Sequence, residues 1–434
     1  MSTYVINGGR ALRGDVTISG SKNAALGIIA AAVICDGPVV IENVPIVSDT
    51  IAMIEIIREL GAICSFENGT LTMDPRPITS GVVSSARASE IRASYYLLGA
   101  LIARLHRVDS VLPGGCNFGT RPIDLHLKGF EALGAIQSIS HGRIQLEAKT
   151  LAGTNIFLDK VSVGATINLM ICAAKCPGRT VIENAAREPH IVDVANFLNA
   201  MGADVRGAGT DMIRIEGVSF MKGERHYSII PDQIEAGTYM IAAAVTRGDI
   251  TVHNMIPKHM EPLSAKLSEM GAVVEEGEDQ LRVYIPEGRR LTYTNFTTSP
   301  YPGFPTDLQP QTVVLLCHAE GISRMQENVW ASRFQYIDDL KKMGAHIDVA
   351  DRLCLVNGPS QLTGATVAAR DLRAGAAMVL AGLSAQGETV IEDIYRLKRG
   401  YENLVPKLRA LGGQIIERDD QGQEVEVKEA QLSF

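Results

Sequence analysis

Between Leu112 and His126 the chain reads LPGGCNFGTRPIDLH, which sets a lone thiol, Cys116, in a loop with three glycines and five residues ahead of Arg121. An exposed thiol beside positive charge ionises readily and can serve as an acid or a nucleophile. A second loop, Tyr301 to Asp307 (YPGFPTD), is stiffened by two prolines and aims the carboxylate of Asp307, a candidate base. Lys22, Arg92 and Lys160 stand at or just ahead of three apolar helical stretches; Asp232, Asp307 and Asp371 stand at the starts of three more. A helix start offers unpaired N–H groups and about half a positive charge, so several aimed into one cleft would attract an anion. One half of the chain is therefore expected to offer cations and the other carboxylates, although Asp232 and Asp371 also suit simple N-caps. Cys172 and Cys176 lie one helical turn apart with no further ligand in register, so no metal site is expected there. Cys35, Cys64, Cys317 and Cys354 are expected in cores or strands, and His126 is given no role.

Those residues must be positioned by a repeating frame. Six copies of one signature close amphipathic segments: Leu60-Gly61-Ala62, Leu133-Gly134-Ala135, Met201-Gly202-Ala203, Met270-Gly271-Ala272, Met343-Gly344-Ala345 and Leu411-Gly412-Gly413. Their first residues are 73, 68, 69, 73 and 68 positions apart, which suggests two halves of three units. Each glycine is read as a helix C-cap, where φ > 0 is cheap only without a Cβ. Between the copies run helices apolar on nearly every face, such as SVGATINLMICAA from Ser162 and DLRAGAAMVLAGL from Asp371. Helices of that kind must be buried. The unit is thus strand–helix–strand–helix-like with one buried and one half-exposed helix, and three units make a domain. The boundary is placed near Ser228 to Pro231. A solenoid is the competing architecture and suits units this long less well.

Composition narrows the function. An apolar share of 46% supports a large core, and a net charge of −8 argues against a nucleic-acid partner. The N-terminus shows no secretory pattern and no segment is long and apolar enough to span a bilayer, so a soluble, cytoplasmic protein is expected. Seven cysteines in 434 residues form no disulfide framework.

The segments GSKNAAL, LPGGCNFGTRPIDLH, DKVSVGAT, NAAREPHIVD, IPDQIEAGTYMIAAA, YPGFPTDLQPQ and DLRAGAAMVLAGL resemble the enolpyruvyl transferases over roughly residues 2 to 418. The cysteine loop sets the chain apart from the shikimate-pathway branch. The resemblance implies an α/β fold of two domains, each an inside-out barrel of three repeats: residues 22–230, and residues 1–21 with 231–434. It also implies transfer of the enolpyruvyl group of phosphoenolpyruvate to the 3-hydroxyl of UDP-N-acetylglucosamine, the first committed step of peptidoglycan synthesis, with no cofactor and no metal. On that resemblance Lys22, Arg121 and Arg399 hold the two anionic groups of phosphoenolpyruvate, and Asn23 contacts it. Cys116 is the general acid, a covalent nucleophile and the target of fosfomycin, and Asp307 is the base. Arg92, Arg121, Pro122, Ile123, Asp124, Leu125, Lys160, Ser162, Val163 and Val329 match nucleotide-sugar contacts, and Arg373 joins the substrate-binding set. The Cys116 loop is expected to act as a lid. Departures from the family's common pattern fall at Lys398, at Ala331-Ser332 and at Gln233. Lys398 in place of an acid reverses a charge worth about 1–4 kcal/mol at 4 Å, and either tightens anion binding or turns Arg399 aside. Two other readings stay open: a paralogue acting on a modified acceptor, and a catalytically silent nucleotide-sugar-binding regulator.

Overall fold

The computed structural model describes residues 2–83, 88–89, 91–112, 123–223 and 225–426. The third repeat shows the plan. Asn155–Phe157 leads into the helix Val163–Ala173, which returns to Arg179–Glu183, and the two strands pair in parallel with Ile156 opposite Ile182. A parallel pair needs such a crossover, and a helix apolar all round fills it by packing under the sheet. The helix Pro189–Ala200 then leads to a hairpin of Asp204–Arg206 and Met212–Glu216, whose second strand lies next to Arg179–Glu183. The expected strand–helix–strand–helix plan therefore gains a terminal hairpin.

Among the described residues the strands form six sheets, five of four strands and one of five. In the second helix series one stripe is buried; Glu261–Met270 covers Leu263, Leu267 and Met270, spaced i, i+4, i+7. The glycine of every signature copy has positive φ: 112° at Gly61, 106° at Gly134, 102° at Gly202, 103° at Gly271, 97° at Gly344 and 91° at Gly412. Each ends its helix and turns the chain into the next strand, as the repeat pattern required.

The described residues fall into two compact units, one of residues 20–230 and one of residues 2–19 with 231–426. Each has its own core, and each closes on itself by pairing strands far apart in the sequence. In the first unit Arg225–Ser228, at its far end, pairs in parallel with Val39–Glu42 of the first repeat. In the second, Arg13–Thr17 pairs in parallel with Asp249–His253. Thr3–Asn7 lies antiparallel between Glu388–Glu392 and Gln414–Arg418.

Helix packing inside the first unit is close. A Cβ on Gly99 would sit 2.3 Å from the backbone oxygen of Asn168, so only glycine lets the helices Tyr96–Leu105 and Val163–Ala173 approach. The Asn168 amide occupies that crossing, accepting from Gly99 N at 2.7 Å and donating to Tyr95 O at 2.8 Å. It thereby satisfies backbone groups where a 3₁₀ turn, Arg92–Tyr95, passes into the α-helix. Among the described residues no helix is long and apolar enough to cross a membrane.

Candidate active site

In the first unit, the cations and nucleotide-sugar candidates gather at the starts of buried helices. Lys22 is the first residue of Lys22–Ala32, which Ser21 caps through Ala24 N at 3.4 Å. Its ammonium meets the Asp49 carboxylate at 3.3 Å, and both side chains are largely buried. Asn23, half-buried, follows it. Arg92 opens the 3₁₀ turn, its guanidinium 5.5 Å from the Tyr95 ring centre. Tyr95 meets the ring of His126 edge-on at 4.7 Å. A Cβ on Gly164 would sit 2.6 Å from the Tyr95 hydroxyl and 3.2 Å from His126 Cε1. That contact seats the start of Val163–Ala173, with its cap Ser162, against the start of the helix Asp124–Ala132. Arg92, Ile123, Asp124, Leu125, Ser162 and Val163 are thus drawn together, with Lys160 exposed just upstream. Burial, with Arg92 adding to it, pushes His126 down to about 3, so the imidazole is neutral. Its Nδ1 then accepts from Asn168 Nδ2 at 3.0 Å, and its role is to join elements rather than to move protons. Cys116, Arg121 and Pro122 lie outside the described residues.

In the second unit Asp307 is the centre. It sits in the 3₁₀ turn Thr306–Leu308 ahead of the helix Gln309–Leu316, and does not cap it. Its Oδ1 accepts from Arg333 Nη2 at 3.3 Å, and its Oδ2 from Arg373 Nη2 at 3.1 Å and Nε at 3.3 Å. The two arginine side chains are 2% and 4% exposed, whereas the Asp307 side chain keeps 31%. The carboxylate is therefore held by two buried guanidiniums and remains partly exposed. Burial opposes the charge on Arg373, but Asp307, Tyr401 and Asp232 outweigh it and raise its pKa above the ordinary arginine value. The Arg373 guanidinium lies 5.6 Å from the Tyr401 ring centre, and Tyr401 is held by Thr238 at 2.9 Å and by Gln311 Nε2 at 3.1 Å. Arg373 Nη1 is buried and has no hydrogen-bond partner among the described residues. A buried donor left unpaired is costly, and a substrate oxygen would satisfy it.

The expected division into a cationic half and a carboxylate half does not survive. Asp232 accepts from Ile234 N and Glu235 N at 2.8 and 3.0 Å, and Asp371 from Arg373 N and Ala374 N at 2.8 and 3.0 Å. Both carboxylates serve as N-caps, and Asp307 is paired with two guanidiniums, so this half carries cations beside its carboxylates. Arg333 is the residue sequence reasoning missed. It stands 26 positions from Asp307, after a strand and a loop, and no local pattern marks it.

Arg399 ends the 3₁₀ segment Ile394–Arg399 and is half-buried. Its neighbour Lys398 is directed to Glu417 at 2.7 Å, so the charge reversal at that position is met by a carboxylate of the adjoining strand. Val329, half-buried, donates its N–H to Glu327 at 2.8 Å. Cys172 and Cys176 are buried with their sulfurs 3.9 Å apart, and among the described residues no cluster of His, Cys, Asp and Glu could hold a metal. A cavity of about 470 Å³ opens at the opposite ends of the same buried helices, lined in part by Arg10, Arg247, His318 and Ser384; no candidate site residue lines it.

The family model of EPSP synthase (3-phosphoshikimate 1-carboxyvinyltransferase) matches residues 6–408. The chain belongs to this family of enolpyruvyl (1-carboxyvinyl) transferases and is a transferase. Within the family it is 52% identical over 416 residues to UDP-N-acetylglucosamine 1-carboxyvinyltransferase 3 of Caldanaerobacter subterraneus subsp. tengcongensis, covering 96% of this chain and 99% of that one. It is 49% identical over 415 residues to UDP-N-acetylglucosamine 1-carboxyvinyltransferase of Halothermothrix orenii, again 96% of this chain and 99% of the relative. The crystal structure of the enolpyruvyl transferase NikO from Streptomyces tendae superposes with a TM-score of 0.87 at 27% identity, over 96% of this chain and 98% of that one. The two-domain α/β fold of repeated units is thus the fold of the family.

Proposed function

We propose that the protein transfers the enolpyruvyl group of phosphoenolpyruvate to the 3-hydroxyl of UDP-N-acetylglucosamine with release of phosphate, supplying peptidoglycan precursors in the cytoplasm of a growing and dividing cell. The observation that carries this reading is the Asp307 carboxylate, partly exposed and clamped by two buried guanidiniums. A base must keep an accessible lone pair, and a doubly anionic substrate needs cationic donors beside it.

In the proposed addition, Cys116 gives its proton to the methylene carbon of phosphoenolpyruvate, the sugar hydroxyl bonds to the adjacent carbon, and Asp307 takes the hydroxyl proton. In the elimination that follows, the Cys116 thiolate takes a proton back from the new methyl group, phosphate departs with the proton that Asp307 held, and the enol ether forms. Lys22, Arg121, Arg373 and Arg399 bind the phosphate and carboxylate, with Asn23 in contact. Arg92, Pro122, Ile123, Asp124, Leu125, Lys160, Ser162, Val163 and Val329 hold the nucleotide sugar. The helix starts that present Lys22, Asn23, Ser162 and Val163 add backbone N–H groups to the cationic side chains.

The test is phosphate release from phosphoenolpyruvate in the presence of UDP-N-acetylglucosamine. Wild type should release phosphate and Cys116→Ala should not, and fosfomycin should add to wild type at Cys116 as seen by intact mass. Binding of the nucleotide sugar without phosphate release by wild type would overturn the proposal.

A further inference from the structure

Glu327 follows the strand Gly321–Gln326 and is fully buried. All its donors among the described residues are neutral. Oε1 accepts from Thr298 Oγ1 at 2.9 Å, Val329 N at 2.8 Å and Trp330 N at 3.0 Å; Oε2 accepts from Thr306 Oγ1 at 2.9 Å. Thr298 Oγ1 in turn accepts from Asn328 N at 2.9 Å. A buried carboxylate without a cation is unfavourable unless it is well hydrogen-bonded, and here it accepts four hydrogen bonds, three at Oε1 and one at Oε2. An acceptor-only group with two oxygens is also the side chain able to take four donors at once.

What those donors belong to gives the arrangement its meaning. Thr306 precedes Asp307, and Trp330 lies three residues before Arg333. Arg333 Nη2 donates to Asp307 Oδ1. The result is a closed circuit: Asp307, Thr306, Glu327, the 329–330 backbone, Arg333 and back to Asp307. Two loops, each irregular and each carrying one member of the clamp, share a single buried fastening. The first ends in the single 3₁₀ turn Thr306–Leu308, and the second has no helix or strand between Glu327 and Arg333. Val329, a proposed nucleotide-sugar contact, hangs from the same oxygen.

We propose that Glu327 is a positioning residue for the transfer reaction: it sets Asp307 against Arg333 by tying the 298–307 loop to the 327–333 loop. The inference rests on the reading of Asp307 as the base. A misplacement of about 1 Å in a reacting group costs roughly 10²-fold in rate. Such a loss falls on kcat rather than on KM when binding groups are untouched.

The experiment measures steady-state phosphate release for wild type, Glu327→Ala, Glu327→Gln, Thr306→Val, Asp307→Asn and the double variant Thr306→Val/Asp307→Asn, with thermal melts beside each. Thr306→Val keeps the side-chain shape and cuts only the strut next to Asp307, so it decides the matter if Glu327→Ala does not fold. The expected result is a kcat loss of about 10-fold for Thr306→Val and about 10²-fold for Glu327→Ala, with KM for phosphoenolpyruvate within about threefold. Glu327→Gln, whose amide oxygen can still accept, should recover most of that loss. In the Asp307→Asn background Thr306→Val should cost nothing further, since the two act through one group. Wild-type kcat in Thr306→Val and Glu327→Ala, or an equal Thr306→Val loss with and without Asp307, would overturn the role of Glu327 alone. Wild-type kcat in Asp307→Asn would overturn the assignment of the base and this inference with it.

Discussion

At the scale of single residues, Arg373 does two things that a lysine cannot. Its planar fork bonds Asp307 through both Nε and Nη2 while Nη1 stays buried and free to serve the proposed substrate contact. Arg373→Lys keeps the charge and loses the fork, so kcat/KM for phosphoenolpyruvate should fall by about 10²-fold or more in steady-state assays, corresponding to roughly 3 kcal/mol. Asp193 gives a prediction about stability. Burial raises its pKa to about 6, against the opposing pull of the Tyr227 hydroxyl at 2.5 Å and Ile230 N at 3.2 Å. The folded protein therefore holds a proton there that the unfolded chain, near 3.8, has released. This group's contribution is fully present below about pH 4 and is lost as pH rises through 6, a swing of roughly 3 kcal/mol at most. Asp193→Asn should flatten that part of the profile, and urea midpoints of the two proteins at pH 5 and 7.5 would show it. Asp307 was legible in the sequence because prolines and a helix start surround it. Arg333 and Glu327 were not, because their meaning lies in which loop faces which, and that is settled by tertiary packing.

At the scale of elements, the buried helices depend on close approach as much as on apolar composition. Gly99→Ala would drive a methyl against the Asn168 oxygen and displace the amide that serves Gly99 N and Tyr95 O. The expected cost is about 2–3 kcal/mol, several degrees in a thermal melt, although alanine is the better helix former by about 1 kcal/mol. A neutral or stabilising outcome would mean that the two helices can move apart. The helix series, its capping glycines and its alternating strands were readable because each follows from local period and from φ > 0. The short parallel strands were harder: Asn155–Phe157 and Val82–Val83 run to three and two residues, too brief for alternation to register. The Asp232 and Asp371 caps show the reverse case, where a simple local use of a carboxylate accounts for residues that also sat where chemistry was sought.

At the scale of the molecule, the two units differ in what they need from the rest of the chain. Residues 20–230 contain every strand of their own sheets, including the closing strand Arg225–Ser228. A fragment of those residues should fold alone, with a cooperative melt by circular dichroism. Residues 231–434 lack the strands Thr3–Asn7 and Arg13–Thr17, so that fragment should stay largely unfolded unless residues 2–19 are joined to it by a linker. A cooperative melt of 231–434 by itself would contradict this. The borrowed strands also set a timetable for synthesis. Tyr4 pairs with Ile391 and Glu417, close to four hundred residues away. At about 5–20 residues per second, a ribosome needs roughly 20–80 s to deliver those partners. For that interval Thr3–Asn7 waits with its buried face, Tyr4 to Ile6, uncovered, and a holdase chaperone at the tunnel exit would find it there.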